Sequence, residues 1–220
     1  MDLSGIYNLI ETEFKVIKRE KDIICVAPLG GEDYPETIVK LTFNKVNNHY
    51  EIFEVVRGKE YKVDTFSDKY KSALALYIFS KSKLEVRKYD TNVQNEIEIA
   101  TSINNIQKIF KTFSDEQYHS FFELKPDRII LEKSTNDRYN VLFLGKSGSK
   151  IYIDRFRKLN SAAVVLYNFS FKLSQFYNLI NMIEVKADSD FIETLKELYL
   201  LGWRMQICIF EGSVAKFYKR

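Results

Sequence analysis

The sequence predicts an α+β fold made of two duplicated units, each a small antiparallel sheet with a helix packed on one face, followed by a C-terminal helix and hairpin. Three observations predict this fold: a gapless internal repeat, polar–apolar alternation typical of strands, and helical spacing of apolar residues after each set of strands. We expect the units to span residues 1–90 and 91–187. Residues 188–220 would then complete the second unit or start a partial third.

The internal repeat aligns residues 39–84 with residues 129–174 at an offset of 90 residues, with ten identities in 46 positions. The identical pairs are Leu41/Leu131, Phe53/Phe143, Gly58/Gly148, Asp64/Asp154, Phe66/Phe156, Ala73/Ala163, Leu76/Leu166, Tyr77/Tyr167, Phe79/Phe169 and Ser80/Ser170. Because the period exceeds that of solenoid repeats, we interpret it as a duplicated supersecondary unit. We expect the repeated apolar residues, Phe66 and Phe156 among them, to lie in the core.

Each copy has the pattern of three strands followed by a helix. In the first copy, segments 37–43, 49–56 and 60–66 are rich in β-branched and aromatic residues, and Gly58 permits a tight turn between the last two. A helix capped at Ser67 follows. The second copy repeats this order with strands 128–133, 138–144 and 150–156 and a helix from about residue 160. Since the second helix is longer and more apolar, we expect it to be the more buried.

The flanking segments predict further elements. Apolar spacing indicates helices over 3–17, 103–113 and 114–122, a strand over 22–27, a capped helix over 188–201, and a final hairpin of 203–210 with 213–218. The polar, Asn-rich segment 91–105 is the candidate junction between the copies. At the repeated Asp64/Asp154 pair, we expect each carboxylate to accept hydrogen bonds from nearby backbone N–H groups.

Composition and charge narrow the class of protein. The chain has 220 residues, is 45% hydrophobic and carries a net charge of +3, without a run of five like charges. This excess is too small for a typical nucleic-acid footprint. Cys25 and Cys208 lie in apolar runs and are expected to be buried thiols rather than a disulfide. Since we see neither an export signal nor an apolar run of about 18 residues, we expect a cytoplasmic protein without a membrane contact.

Catalytic motifs are not found in the sequence. The string Gly145-Lys146-Ser147-Gly148 lacks the upstream glycine of a phosphate-binding loop and precedes a predicted strand. The two histidines and two cysteines show no metal-ligand spacing. We therefore expect no catalytic residue, no metal and no cofactor, and a small-molecule enzyme is the third hypothesis for function.

A basic segment supports a second hypothesis, that of a nucleic-acid-associated accessory or regulatory protein. Arg155, Arg157 and Lys158 surround Phe156, and basic residues beside aromatic ones can hold phosphates and stack bases. The alternative is that Phe156 points into the core while the cations are solvated. The weak net charge favours this alternative.

The repeated hairpin and helix resemble immunity proteins that protect bacteria from their own polymorphic toxins, including antidotes to type VII, LXG-type toxins. In that family an aromatic strand leads to a Glu-Arg-Gly-like turn, a strand ending in Phe, and a helix with Ala and a Leu-Tyr pair. The residues that carry the resemblance are Tyr50, Arg57-Gly58, Phe66, Ala73 and Leu76-Tyr77 in copy one, and Tyr139, Gly148, Phe156, Ala163 and Leu166-Tyr167 in copy two. Departures are Tyr for the usual Trp, Val56 for Glu, and the missing Arg before Gly148.

The resemblance implies a protein that is not an enzyme and that neutralises one cognate protein toxin by tight direct binding. Exposed aromatic residues flanked by charge carry much of the energy of such interfaces. The candidate contacts are therefore Tyr34, with Glu32 and Asp33 beside it in the loop before Pro35, and Arg57 in the first hairpin turn. For Tyr34, packing on its own domain is the alternative.

Overall fold

A computed structural model of the chain describes residues 1–30, 35–135, 137–185 and 187–202. It has an α+β fold with two sheets of five and four strands. The elements of the first half are α1 (Leu3–Glu13), β1 (Phe14–Glu20), β2 (Ile23–Pro28), β3 (Thr37–Asn44), β4 (His49–Val56), β5 (Lys59–Phe66) and α2 (Lys69–Leu84). Strands β1 to β5 form an antiparallel meander in chain order.

The second half follows the same plan with a different beginning. Its elements are α3 (Thr91–Ile99), α4 (Ile103–Phe113), β6 (His119–Phe121), β7 (Arg128–Lys133), β8 (Tyr139–Leu144), β9 (Lys150–Arg157), α5 (Leu159–Met182) and α6 (Ser189–Leu201). The sequence predicts an antiparallel second sheet. The observed sheet is mixed, because the short edge strand β6 runs parallel to β7.

Several flanking elements differ from prediction. The helix predicted over 3–17 ends at Glu13, because the chain from Phe14 pairs with β2 in a tight hairpin. The segment 114–122 is not helical, since Ser114 ends α4 and His119–Phe121 joins the second sheet. The junction predicted at 91–105 contains α3, which Asp90 caps through the backbone N–H of residues 92 and 93.

Two apolar cores lie between the sheets and their helices. The first core includes Val39, Leu41 and Ile52 of the first sheet with most of α2. The second includes Ile129, Leu131 and the first half of α5. Helix α6 contributes to both, with most of its apolar residues in the first core and Leu200 in the second. The C-terminal end of α5 also packs in the first core, so the two sheets share a continuous layer of helices.

The two repeated segments have the same order of elements. Strands β3, β4, β5 and helix α2 correspond to β7, β8, β9 and α5, as the offset of 90 residues predicts. Gly58 and Gly148 both have a positive φ, 79° and 85°, in the turn before the last strand, a conformation that favours glycine. Ala73 and Ala163 are both fully buried where the helix approaches its sheet.

The predicted order of helix burial is wrong. Helix α2 has 11 buried residues among its 16, whereas α5 has eight among its 24. The reason is that α2 packs against the first sheet, α1 and α6 on several sides. Cys25 is a buried free thiol, and burial raises its pKa; Cys208 and the predicted final hairpin lie outside the described residues.

Candidate partner-binding surface

The predicted contact residues divide into two groups. Glu32, Asp33 and Tyr34 lie outside the described residues. Arg57 lies exposed in the β4–β5 turn with φ of 50°. Its Nη2 donates to Glu36 Oε1 at 3.0 Å, and its backbone N–H donates to Glu36 O at 2.8 Å. These bonds tie the turn to the start of β3, and a partner contact at Arg57 stays a prediction.

The basic segment Arg155, Arg157 and Lys158 lies at the end of β9 and the start of α5, and all three side chains are exposed. The Arg157 Nε donates to Asp154 Oδ2 at 2.8 Å, and the Arg155 guanidinium carbon lies 3.8 Å from the Tyr152 ring centroid. The two arginines are thus oriented by their own strand, rather than extended freely into solvent.

Phe156, between the two arginines, departs most from the prediction. It is 60% exposed and has φ of 57°, whereas the repeat predicts a core residue. For a residue with a side chain, this left-handed conformation costs about 1–2 kcal/mol. Leaving the ring in water also forgoes about 1.5–3 kcal/mol of burial. Both costs must be offset by the surrounding structure, and such outliers concentrate at functional sites.

A network of hydrogen bonds that starts at the Phe156 backbone N–H holds this left-handed conformation. The Phe156 backbone N–H donates to Asn140 Oδ1 at 3.1 Å, and Asn140 is almost fully buried. The Asn140 amide in turn donates to Glu132 Oε2 at 3.1 Å, which also accepts from the Tyr152 hydroxyl at 3.2 Å. Because the Asn140 side-chain amide accepts a hydrogen bond from Phe156 and donates one to Glu132, it holds the Phe156 peptide in this orientation.

Two further aromatic side chains lie at the same end of the second sheet, one of which, Tyr139, is half-buried against the second core. Tyr139 pairs with Arg157 across β8 and β9. The Phe122 ring lies 6.3 Å from the Tyr139 ring and is 45% exposed, also at positive φ. We define the Phe156 surface as Phe122, Tyr139, Phe156, Arg155 and Arg157.

No protein-family model matches the chain, and no curated protein or solved structure matches it either.

A groove with a volume of about 470 Å³ lies elsewhere on the described surface. It is lined by Asp127, Lys146 and Tyr177 among others. Asp127 accepts from the fully buried Lys196 at 2.5 Å and from the Tyr177 hydroxyl. Burial and the Asp127 carboxylate raise the pKa of Tyr177. These groups fasten α6 to the loop before β7 and satisfy one another.

The described residues contain no group of three or more His, Cys, Asp or Glu side chains placed to hold a metal ion. None of their helices combines the length and the hydrophobicity needed to cross a lipid bilayer. The predictions that the protein has no cofactor and is no enzyme stay predictions.

The sequence contains a signal that Phe156 lies at the surface, namely the basic residues around it. In copy one, Phe66 follows Asp64-Thr65 and precedes Ser67, whereas Phe156 has an arginine on each side and a lysine next. Charges at both neighbours make the segment around Phe156 the more polar of the two. These cations carry the nucleic-acid hypothesis, whereas the prediction that Phe156 lies in the core is wrong.

Proposed function

We propose that this protein binds a protein partner through the Phe156 surface and thereby neutralises a cognate bacterial toxin. The observation that carries the proposal is the exposed Phe156 ring, held in a left-handed conformation by the buried Asn140. A preorganised aromatic anchor loses little entropy on binding and can supply several kcal/mol of affinity when it enters a pocket of the partner.

A protein partner agrees better with this surface than a nucleic acid does. The Phe156 surface includes three aromatic rings, and the exposed Leu124 lies two residues beyond Phe122. Arg157 is paired with Asp154, and the net charge of the chain is only +3, so few phosphates would be neutralised. The nucleic-acid hypothesis is still supported by the basic residues beside Phe156, and it is tested in the same experiment.

The assignment of the partner as a toxin rests on the resemblance of the repeated hairpin and helix to immunity proteins. Interfaces of standard size bury about 1,600 Å² in total, an area that a chain of this size can provide. The Phe156 surface would form the centre of such an interface, with Arg57 or the segment 32–34 as separate predicted contacts.

The experiment is co-expression with the toxin encoded beside this protein's gene. We expect the wild-type chain to restore growth and to co-purify with the toxin. Phe156→Ala should weaken the complex at least 30-fold, corresponding to about 2 kcal/mol for a hot-spot residue. Tyr61→Ala is the matched control, since Tyr61 is an exposed aromatic residue on β5, the strand that corresponds to β9.

Three results would contradict the proposal. One is that no neighbouring toxin is neutralised or bound. Another is that Phe156→Ala and Tyr61→Ala bind equally well, which would move the interface away from this surface. The last is salt-dependent binding of RNA or DNA that is lost in a triple variant with alanine at Arg155, Arg157 and Lys158, which would favour the second hypothesis.

A further inference from the structure

The seam between α2, α5 and α6 brings two cations onto one aromatic ring. Arg87 lies in the connector after α2, and its guanidinium carbon is 5.1 Å from the centroid of the Tyr199 ring. Lys172 lies in the middle of α5, and its Nζ is 5.7 Å from the same centroid. Tyr199 belongs to the last part of α6. This place is separate from the Phe156 surface and from the groove beside Asp127.

The Arg87 guanidinium has unused donors in this seam. Its Nη1 donates to Ser82 O at 3.0 Å. Its Nε and Nη2 are buried and have no hydrogen-bond partner among the described residues. A buried charged donor without an acceptor is costly, and Nε with Nη2 is one edge of the planar fork that binds a carboxylate or phosphate through two parallel hydrogen bonds.

Lys172 supplies a second cation at this seam. Its Nζ donates to Leu200 O at 2.7 Å. Burial first, and then the charges of Arg87 and Lys83, lower the pKa of Lys172 to about 7. Lys83 is itself paired with Glu54 at 2.9 Å. Among the described residues, Glu54 is therefore already engaged, and no ion pair joins a carboxylate to Arg87 or Lys172 at this seam.

We propose that Arg87 and Lys172 form a binding site for one oxyanion, the phosphate or carboxylate group of a ligand. The anion would accept two hydrogen bonds from Arg87 Nε and Nη2 and one from the remaining N–H groups of Lys172. It would also remove the repulsion between the two cations, because one negative charge near both favours their protonated forms. This proposal does not depend on the toxin-binding function.

The oxyanion can come from solution or from the chain itself. Glu211 is the one acidic side chain after Gly202 in the sequence. A comparison of the wild-type chain with Glu211→Gln therefore distinguishes an external ion from an internal carboxylate.

The experiment follows the ε-carbon NMR signal of Lys172 and the melting temperature during titration with inorganic phosphate, against sodium chloride at equal ionic strength. We expect phosphate to raise the pKa of Lys172 from about 7 towards its ordinary value of about 10.4, and to raise the melting temperature. Arg87→Lys keeps the charge but not the fork, and should weaken phosphate binding at least tenfold. Arg138→Gln, at an exposed arginine just before β8, is the control and should bind as the wild-type chain does.

Each outcome decides the proposal. Phosphate binding by the wild-type chain that Arg87→Lys weakens supports an external anion. Binding that appears only with Glu211→Gln supports the internal carboxylate in the same site. If neither chain binds phosphate, or if Arg87→Lys binds as tightly as the wild-type chain, the proposal is wrong. Because Arg87→Lys retains a cation and its aliphatic stem, its fold can be checked by circular dichroism before titration.

Discussion

Phe66 and Phe156 occupy the same position of the repeat but opposite environments. Phe66 is 9% exposed and its ring lies 6.0 Å from that of Phe191, edge to face. Phe156 is 60% exposed and takes a left-handed conformation. Phe191 comes from α6, a helix that packs mainly against the first copy. A repeated residue is therefore core or surface according to which later element covers it.

A second difference lies in the register of the middle strand. Leu41 pairs with Ile52 in copy one, whereas Leu131 pairs with Val141, one residue earlier than the offset of 90 residues would place its partner. A one-residue shift moves a strand's side chains to the other face. As a result Ile52 lies in the first core, while Leu142 lies on the face of its sheet opposite the second core.

The strongest test of the comparison is truncation of the two phenylalanines. Phe66→Ala should lower the free energy of unfolding by about 3–5 kcal/mol, since it leaves a cavity against α6. Phe156→Ala should change it by less than about 1 kcal/mol, because the ring is largely in water. Urea denaturation of both variants measures the difference. Equal losses would mean that Phe156 is buried in the folded chain.

Replacement of Asn140 tests what holds Phe156 in place. Asn140→Ala removes the acceptor of the Phe156 N–H and a donor to Glu132. We expect a loss of about 1–3 kcal/mol, the cost of leaving buried polar groups without partners. Denaturant unfolding gives the loss, and amide exchange at Phe156 should accelerate. An unchanged exchange rate would show that the network does not control the peptide.

Much of the fold follows from the sequence because its strands and helices carry long, regular patterns. The repeated strands and helices, and α6 with its cap at Asp188, agree with the structure within a few residues. The short strand β1 is not predicted, for a physical reason. Its apolar positions fit either a helical or a strand pattern, as at Phe14, Val16 and Ile17, and only pairing with β2 decides between them.

The candidate site was harder to predict, since it depends on contacts between distant segments. The cations at Arg155 and Arg157 were visible in the sequence, but the outward turn of Phe156 depends on Asn140, 16 residues earlier. The same holds for Arg87 and Lys172. Their shared contact with Tyr199 arises only when three helices pack together.

Substitution by glycine separates backbone strain from side-chain packing at the repeated position. Phe156→Gly should raise the free energy of unfolding by up to about 1 kcal/mol, because glycine tolerates positive φ. The same variant should lose partner binding. Phe66→Gly should destabilise strongly, as Phe66→Ala does. Thermal melts compare the two, and a destabilised Phe156→Gly would show that the ring contributes packing energy that outweighs the strain.

The last comparison is between Ser82 and Lys172, which the offset of 90 residues makes equivalent. Ser82 Oγ donates to Tyr199 O at 2.6 Å, and Lys172 Nζ donates to Leu200 O at 2.7 Å, so each copy binds the last turn of α6. Unlike serine, Lys172 titrates: its pKa is lowered to about 7 in the folded chain from about 10.4 when unfolded.

Between these two values the unfolded chain binds the extra proton, so stability should rise as the pH increases from 7 to 8.5. We expect a rise of up to about 1 kcal/mol per pH unit, measured by urea denaturation in buffer without phosphate or carboxylate. Lys172→Ser, which places the copy-one residue in copy two, should lack this rise, and the difference between the variants cancels the opposing titration of Cys25. A wild-type slope equal to that of Lys172→Ser would mean that Lys172 stays protonated in the folded chain.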